Sequence, residues 1–213
     1  MRKLIIFLTS IILFFLILLS ALNFVIFDKS FYEKEFEKNK IYEKFGKEKT
    51  LSERDALLDY FKNNEKIINS DFYNEKEKQH LFDVKNLMIL SRTAVYLSFF
   101  ILVILFLLVF LKYKNDFLEI ISKIFVFSAI VLFSFSLIAF FMQNYFSRIF
   151  YDFHLIFFSN NLWLLNPVTD NLINLFPEKF FFDAVARIIY VVLLFGVLFF
   201  LGGIFLKNSR KII

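Results

Sequence analysis

Four long apolar runs without a charged side chain constrain this sequence more than any other feature. They are Leu4–Phe27, Thr93–Leu111, Ile124–Met142 and Ile188–Leu206. A helix needs about 20 apolar residues to cross the hydrocarbon core of a membrane. Each run is apolar all round, so none offers a hydrophilic face to water. The pattern therefore predicts an α-helical integral membrane protein with four transmembrane helices.

The composition excludes several classes of function. The sequence has no cysteine, which excludes disulfides, thiol nucleophiles, Cys-ligated zinc and iron–sulfur clusters. Its only histidines are His80 and His154. Two histidines without a clustered carboxylate are too few ligands for a typical metal ion, so we expect no metal site. Ionisable residues inside a membrane mark ion pathways and proton relays. The four runs have no Asp, Glu, Lys, Arg or His, which argues against a pump, a proton-coupled transporter or an ion channel.

The first run could instead be a secretory signal peptide, because Arg2 and Lys3 precede it. The apolar part of a signal peptide spans roughly 7–15 residues and is followed by a small-residue cleavage site. Leu4–Phe27 is longer than that, and no such site follows it. We therefore expect an uncleaved first transmembrane helix.

The distribution of basic residues predicts the orientation of the helices. Lys and Arg lie before the first run, between the second and third, and after the fourth (Arg2, Lys3, Lys112, Lys114, Lys123, Lys207, Arg210 and Lys211). Short loops rich in Lys and Arg stay in the cytoplasm, so we expect both termini there. The long segment 28–92 contains equal numbers of basic and acidic residues. The net charge of +5 is thus a topology signal, and we expect no nucleic-acid binding because no unopposed basic stripe exists.

This topology divides the chain at the ends of the runs. Two segments face outward, and together they are long enough to build a folded extracytoplasmic cap. The predicted segments are 1–27, transmembrane helix 1; 28–92, cap segment; 93–111, transmembrane helix 2; 112–123, cytoplasmic loop; 124–142, transmembrane helix 3; 143–187, second extracytoplasmic segment; 188–206, transmembrane helix 4; and 207–213, cytoplasmic tail.

The first outer segment contains two helix-start signals. Thr50 followed by Glu53 fits a capping box and predicts an amphipathic helix over about 51–63. Asn74 followed by Glu77 is a second plausible cap, and the helix that it opens would run on into transmembrane helix 2. Residues 28–49 interleave aromatic and charged side chains, a pattern that assigns them to neither helix nor strand.

The second outer segment is too apolar for an ordinary solvent-facing loop. It holds the only tryptophan, Trp163, both prolines and His154. Taken singly, these residues have structural explanations: Trp163 fits the aromatic belt of a membrane surface, and Asp170 fits the N-cap of a short helix. The topology nevertheless places His80 and His154 on the same side of the membrane. Two imidazoles at one interface can act as general base and general acid near neutral pH.

Two stretches of the sequence resemble one family of bacterial membrane proteins. One is an H-x-x-D-V-K motif before the second run, His80-Leu-Phe-Asp83-Val84-Lys85. The other, longer and more specific, is His154-Leu-Ile-Phe-Phe-Ser-Asn-Asn-Leu-Trp163-Leu-Leu-Asn-Pro167, continued by Asp170, Leu172-Ile173 and Phe176-Pro177-Glu178. With the four runs and the two outer segments, they make the whole chain similar to the lipoprotein intramolecular transacylase family.

The resemblance implies a multi-pass enzyme of the bacterial cytoplasmic membrane, with its active site on the extracytoplasmic face. Such enzymes act on lipoproteins that carry a diacylglyceryl group on the sulfur of the N-terminal cysteine. They move the sn-2 acyl chain to the α-amino group of the same cysteine, which gives the lyso-form lipoprotein. Neither a cofactor nor a metal is needed. The two catalytic histidines of the family correspond to His80 and His154.

The reaction suggests separate roles for the two histidines. A neutral imidazole can take the proton as the amine attacks the ester, and a second, protonated imidazole can stabilise the oxyanion or protonate the departing glyceryl oxygen. We assign the first role to His154 and the second to His80, oriented by Asp83 one helical turn away; the reverse assignment stays open. The expected substrate-binding residues are Tyr151, Phe153, Phe157, Asn160, Asn161, Trp163, Asp83 and Asp170, with membrane lipid around them.

Two non-enzymatic functions compete with this hypothesis. An envelope adaptor or assembly factor would bind a partner protein through the cap, and its histidines would be exposed and replaceable. A lipid-binding or lipid-flipping protein would carry inward-facing polar residues at mid-membrane, where the sequence offers mainly Ser128, Ser134 and Ser136. A shared pocket for His80 and His154 would favour the transacylase.

Overall fold

The computed structural model describes residues 1–209, which are largely helical. Short 3-10 turns at Lys114–Asp116 and Gln143–Tyr145 precede two of the helices. Arg210 and Lys211 of the predicted tail lie outside the described residues. The helices are α1 Arg2–Ile26, α2 Lys29–Lys38, α3 Ile41–Phe45, α4 Lys47–Tyr60, α5 Glu75–Lys112, α6 Phe117–Met142, α7 Phe146–Phe157, α8 Asn171–Leu175 and α9 Glu178–Ser209.

Four helical stretches are long and apolar enough to cross a membrane. They are Arg2–Ile26, Glu75–Lys112, Lys114–Phe157 and Glu178–Ser209, and each covers all or nearly all of one charge-free run of the sequence. Many large apolar side chains on these helices remain exposed, including Phe99, Phe100 and Leu201. Lipid is the solvent that such surfaces require. The predicted class, an α-helical membrane protein with four transmembrane helices, is confirmed.

The described residues divide into two compact units. The first consists of Met1–Asn23, Ser91–Met142 and the chain from Arg187 onward, and the second of Phe24–Leu90 and Gln143–Ala186. The first unit contains the four charge-free runs almost entirely. The second contains most of the charged residues and both histidines.

Apolar side chains and small residues hold the first unit together. A buried cluster includes Leu13, Leu102 and Ile124. Ser122 donates a hydrogen bond to the carbonyl oxygen of Gly203 at 2.7 Å, and a Cβ on Gly203 would meet a methyl group of Val126 at 2.7 Å. The absence of that side chain lets α6 and α9 approach closely, as small residues do in membrane proteins.

The second unit has an aromatic core. Residues 28–49, which the sequence pattern left unassigned, form α2, α3 and the start of α4. Asp28 caps α2, because its carboxylate accepts hydrogen bonds from the backbone N–H groups of Ser30 and Phe31. One face of α2 then packs against aromatic residues from near α8 and the start of α9. The core side chains are Phe31, Tyr32, Phe36, Phe176 and Phe180, all buried, with ring centroids 5.1–6.2 Å apart in the contacting pairs.

The two predicted capping boxes had opposite outcomes. The prediction at Thr50 is wrong: α4 begins at Lys47 after Gly46, whose φ of 79° turns the chain, and the Thr50 hydroxyl bonds inside the helix to the Gly46 carbonyl oxygen. The prediction at Asn74 is confirmed. Asn74 Oδ1 accepts from the Glu77 N–H at 3.0 Å, and Glu77 Oε2 accepts from the Asn74 N–H at 2.7 Å. This reciprocal pair starts α5 and fixes the register of the helix that carries His80.

Candidate active site

The structure brings His80 and His154 together within the second unit. His80 lies in the second turn of α5, and His154 lies near the end of α7. The centroids of their rings are 6.2 Å apart, with 33° between the ring planes. Both side chains are buried, at 6% and 9% exposure. Two imidazoles this close can both act on one small group bound beside them.

Aromatic side chains enclose the pair. Phe158 touches both rings, with its centroid 5.0 Å from that of His80 and 5.5 Å from that of His154. Trp163 packs on His154 at 4.9 Å, tilted by 30°, and Phe150 contacts the same ring edge-on at 4.5 Å. The imidazoles therefore sit in a largely apolar enclosure, where electrostatic interactions are stronger than in water.

A backbone hydrogen bond sets the tautomer of His154. Its Nδ1 lies 2.6 Å from the carbonyl oxygen of Phe150, one turn earlier on α7. A carbonyl oxygen only accepts hydrogen bonds, so we assign the proton of the neutral ring to Nδ1. Nε2 then carries the lone pair. This is the arrangement that a general base requires.

His80 is held in its neutral form. It precedes the charge-free run of α5 by thirteen positions, with Asp83, Lys85 and Arg92 in between, and so lies outside the membrane-spanning segment. Burial, together with the nearby His154, lowers the pKa of His80 to about 4. Its Nδ1 has no hydrogen-bond partner among the described residues. The protonated His80 expected from the sequence is therefore disfavoured, and the neutral ring keeps one N–H that can donate a hydrogen bond.

Asp83 does not hold the Nδ1 atom of His80, contrary to the expected orienting role. Its carboxylate accepts a hydrogen bond from Asn160 at 2.8 Å. Both residues line a groove of about 160 Å³. The pairing joins α5, which carries His80, to the loop that follows His154. The lining residues are Asp83, Asn86, Leu87, Phe157, Phe158, Ser159 and Asn160.

Most of the other predicted binding residues surround the His154 end of this site. Tyr151 contacts Trp163 at 5.3 Å, and Phe153 contacts the His154 ring at 5.5 Å and the Phe157 ring at 4.7 Å. Asn161 is exposed, and its carbonyl oxygen accepts a backbone hydrogen bond in the turn at Leu164.

Asp170 is buried in the loop, where it contacts a different set of residues. It occupies the N-cap position of α8, but its side chain does not cap that helix. It accepts hydrogen bonds from the Asn166 N–H at 2.7 Å, the Thr169 hydroxyl at 2.9 Å and Asn74 Nδ2 at 2.9 Å. Burial alone would raise the pKa of Asp170, but these hydrogen bonds lower it. We therefore treat Asp170 as a residue that holds the loop.

Glu77 is a site-supporting residue that the sequence identified only as half of a cap. Its side chain is fully buried. Besides closing the box with Asn74, it accepts a hydrogen bond from the backbone N–H of Leu172, and so caps α8 in place of Asp170. Asn171 adds a hydrogen bond from its side chain to the carbonyl oxygen of Phe72 at 2.6 Å. These contacts tie the first turn of α5 to the segment around α8, and no local pattern reveals a bond between residues so far apart in sequence.

The polar residues of the site do not form a metal centre. Within residues 1–209, no group of three or more His, Asp or Glu side chains could hold a metal ion. The chemistry that these residues offer is proton transfer between two imidazoles and hydrogen bonding to a developing oxyanion.

Comparison with known proteins identifies the family of the chain. The model of the family described as lipoprotein intramolecular transacylase Lit matches residues 7–181. The membrane-integral lipoprotein intramolecular transacylase Lit from Bacillus cereus has a similar structure, with a TM-score of 0.80 and 23% sequence identity over 100% of this chain and 99% of that chain. No curated protein sequence matches the chain.

Structures of two variants of the B. cereus protein, with one histidine mutated to arginine or to alanine, are also similar. Both have a TM-score of 0.80 and 22% identity, covering 100% of this chain and 94% or 96% of theirs. These structural likenesses show the fold, while the family model covers most of the sequence. The chain therefore belongs to the Lit family of lipoprotein intramolecular transacylases and is a membrane acyltransferase rather than an envelope adaptor.

Proposed function

We propose that the protein transfers the sn-2 acyl chain of a diacylglyceryl lipoprotein to the α-amino group of the same N-terminal cysteine. The observation that carries this proposal is the pair of buried imidazoles, His80 and His154, with ring centroids 6.2 Å apart. The reaction needs a base for the attacking amine and a hydrogen-bond donor for the ester oxygen. His154 and His80 supply these two functions from the protein itself.

In this mechanism His154 moves the proton. The neutral amine attacks the sn-2 ester carbon while Nε2 of His154 accepts the proton that the nitrogen loses. The Nδ1–H bond to Phe150 holds the ring in position and stabilises the imidazolium that forms. The tetrahedral intermediate then breaks its bond to the glyceryl oxygen, and His154 returns the proton to that oxygen. One C–N bond forms, one C–O bond breaks, and no outside reactant is consumed.

His80 acts in this scheme as a neutral hydrogen-bond donor. Because burial keeps its pKa at about 4, its imidazolium form is scarce at neutral pH. A neutral N–H aimed at the ester oxygen still stabilises the oxyanion as charge develops, and more strongly in a dry enclosure than in water. Compared with the roles expected from the sequence, His80 is neutral rather than protonated, and His154 protonates the departing glyceryl oxygen.

The aromatic enclosure would orient the substrate for attack within one molecule. The amine and the ester belong to the same cysteine, so the lipid must fold back before the two groups meet. Tyr151, Phe153, Phe157 and Trp163 would form the apolar wall, and Asn160 and Asn161 the polar rim. The contacts of Phe153 and Trp163 with the His154 ring support this arrangement.

We further propose that the protein resides in the bacterial cytoplasmic membrane with both termini in the cytoplasm. Segments 28–92 and 143–187 would then form the extracytoplasmic cap that carries the site. The basic residues that flank the apolar runs support this orientation. The cap segments fall almost wholly in the second unit, which holds both histidines.

Mass spectrometry of lipoprotein N-termini tests the function in a bacterium that lacks its own transacylase. Expression of this chain should convert S-diacylglyceryl cysteine into N-acyl-S-monoacylglyceryl cysteine, and His80→Gln or His154→Gln should not. Normal conversion by either single variant would contradict the two-histidine mechanism. No conversion by the wild-type chain, with the protein present in the membrane, would contradict the proposed function.

A further inference from the structure

The mechanism proposed above assigns no role to the carboxylate of Asp83. It lies one helical turn after His80 on α5 and is half-buried. Its carboxylate accepts a hydrogen bond from Asn160 Nδ2 at 2.8 Å, but a neutral amide does not compensate the charge. The ion pairs found among residues 1–209 do not include Asp83.

The groove that contains Asp83 has a polar wall and an apolar wall. Asp83, Asn86, Ser159 and Asn160 form the polar side, and Leu87, Phe157 and Phe158 form the apolar side. Phe158 also contacts both histidine rings, so the groove borders the reacting centre. A half-buried site with one unpaired anion and an apolar wall fits a small cationic group attached to a lipid.

We infer that Asp83 binds the α-ammonium group of the substrate's N-terminal cysteine and thereby selects lipopeptides with a free amine. This inference rests on the proposed function, because it names the part of the substrate that occupies the groove. An α-amino group has a pKa of about 7.7–8.0, so most of the substrate carries a positive charge at neutral pH. The carboxylate would pair with that charge and replace the water that the ammonium loses on entering the site.

Binding as the ammonium is compatible with attack as the amine. The ammonium first loses one proton to solvent by way of His154 Nε2, so that His154 can accept again when the nitrogen lone pair forms the C–N bond. The attacking nitrogen is positive until His154 takes its second proton, which then passes to the departing glyceryl oxygen, and the neighbouring carboxylate stabilises that transient charge. Asp83 binds and positions the nucleophile without transferring a proton.

A binding measurement with an unreactive ligand tests this inference. The ligand is a synthetic lipopeptide whose cysteine carries a dialkyl ether glyceryl group, which has no acyl chain to transfer. Its des-amino analogue has hydrogen in place of the α-amino group and adds no bulk. Binding to the purified full chain in detergent is followed by the fluorescence of Trp163, the only tryptophan, which packs on His154.

The wild-type protein should bind the free-amine ligand about 10- to 100-fold more tightly than the des-amino ligand, the range expected of a hydrogen bond to a charged group. Asp83→Asn keeps an oxygen that can accept from Asn160 and removes only the charge. It should reduce this ratio to near one by weakening the free-amine ligand alone. Asp152→Asn is the matched control: it removes a carboxylate from exposed α7 that already pairs with Arg148, and the ratio should stay at its wild-type value.

The possible failures are distinct. Equal binding of the two ligands by the wild-type protein, or a wild-type ratio in Asp83→Asn, would overturn the role of Asp83 and leave the transacylase function standing. Because the ligand comparison uses the wild-type chain, poor folding of the variant would not block it. Failure of the wild-type protein to bind either ligand would contradict the proposed function, and this inference with it.

Discussion

The two units of this protein bury different kinds of side chain and hold them in different ways. In the first, apolar helices pack through side chains such as Leu13 and Ile124, and a glycine at position 203 lets α6 and α9 approach closely. In the second, buried charges and amides are paired across long sequence distances, as Glu77 is with Leu172. Packing of apolar side chains can hold helices together where lipid is the solvent. A catalytic site, in contrast, needs polar groups that are held in place by other polar groups.

Replacement of either histidine should give the largest effect, because both belong to the proposed reacting centre in the second unit. His154→Gln and His80→Gln should each lower the rate of acyl transfer by about 10²–10⁴-fold, the usual contribution of a positioned acid or base. Single-turnover assays with a diacylglyceryl lipopeptide measure this loss. A variant that retains more than a tenth of the wild-type rate would remove its histidine from the proposed chemistry.

Acidification should destabilise the second unit through His80. Its pKa is about 4 in the folded protein and about 6.5 in an unfolded chain, so the unfolded state binds the proton first as the pH falls from 6.5 to 4. The contribution of His80 to stability is constant above this window and falls by about 3 kcal/mol across it. SDS-induced unfolding at pH 7 and pH 4 measures the change. His80→Gln should lose that part of the pH dependence, and an unchanged dependence in this variant would contradict the buried neutral imidazole.

Glu77→Gln should destabilise the same unit at neutral pH. The carboxylate accepts from two backbone N–H groups, of Asn74 and Leu172, and an amide would turn a donor toward one of them. The expected loss is about 2–3 kcal/mol. Glu75→Gln, an exposed change in the same helical turn, is the control and should leave the SDS unfolding midpoint nearly unchanged. Equal midpoints for the two variants would argue against the buried network as a support of the site.

These residues also show what the sequence can and cannot predict. The four runs and the Asn74–Glu77 box follow from local rules, since helix length, charge and capping depend on neighbouring residues. The start of α4 does not, because the backbone turn at Gly46 determines it rather than the Thr50 hydroxyl. The hydrogen bond of Asp83 to Asn160 was likewise unpredictable, since it joins residues far apart in sequence. The motif could therefore identify Asp83 as important without showing what it contacts.

Gly203→Ala should have a smaller effect, confined to the packing of the first unit. The new methyl group would meet Val126 at 2.7 Å and the carbonyl oxygen of Ser122 at 3.1 Å, so α6 or α9 must shift, at a cost of about 1–2 kcal/mol. The adjacent Gly202→Ala is the control, because its methyl group would meet only the Phe125 ring, at 3.3 Å or more. The unfolding midpoint should fall further for Gly203→Ala than for Gly202→Ala. The reverse order would show that close packing of these helices is not what Gly203 provides.

The central claim is that one enclosure brings the amine and the sn-2 ester of a single lipopeptide together between His80 and His154. A crossover experiment with the purified protein tests it most directly. Two diacylglyceryl lipopeptides are mixed, one with a deuterated sn-2 chain and a light peptide, the other with an ordinary chain and a heavy peptide. Mass spectrometry should find only products that keep their own chain on their own peptide. Products with exchanged chains, or free fatty acid in place of N-acylated peptide, would contradict the account.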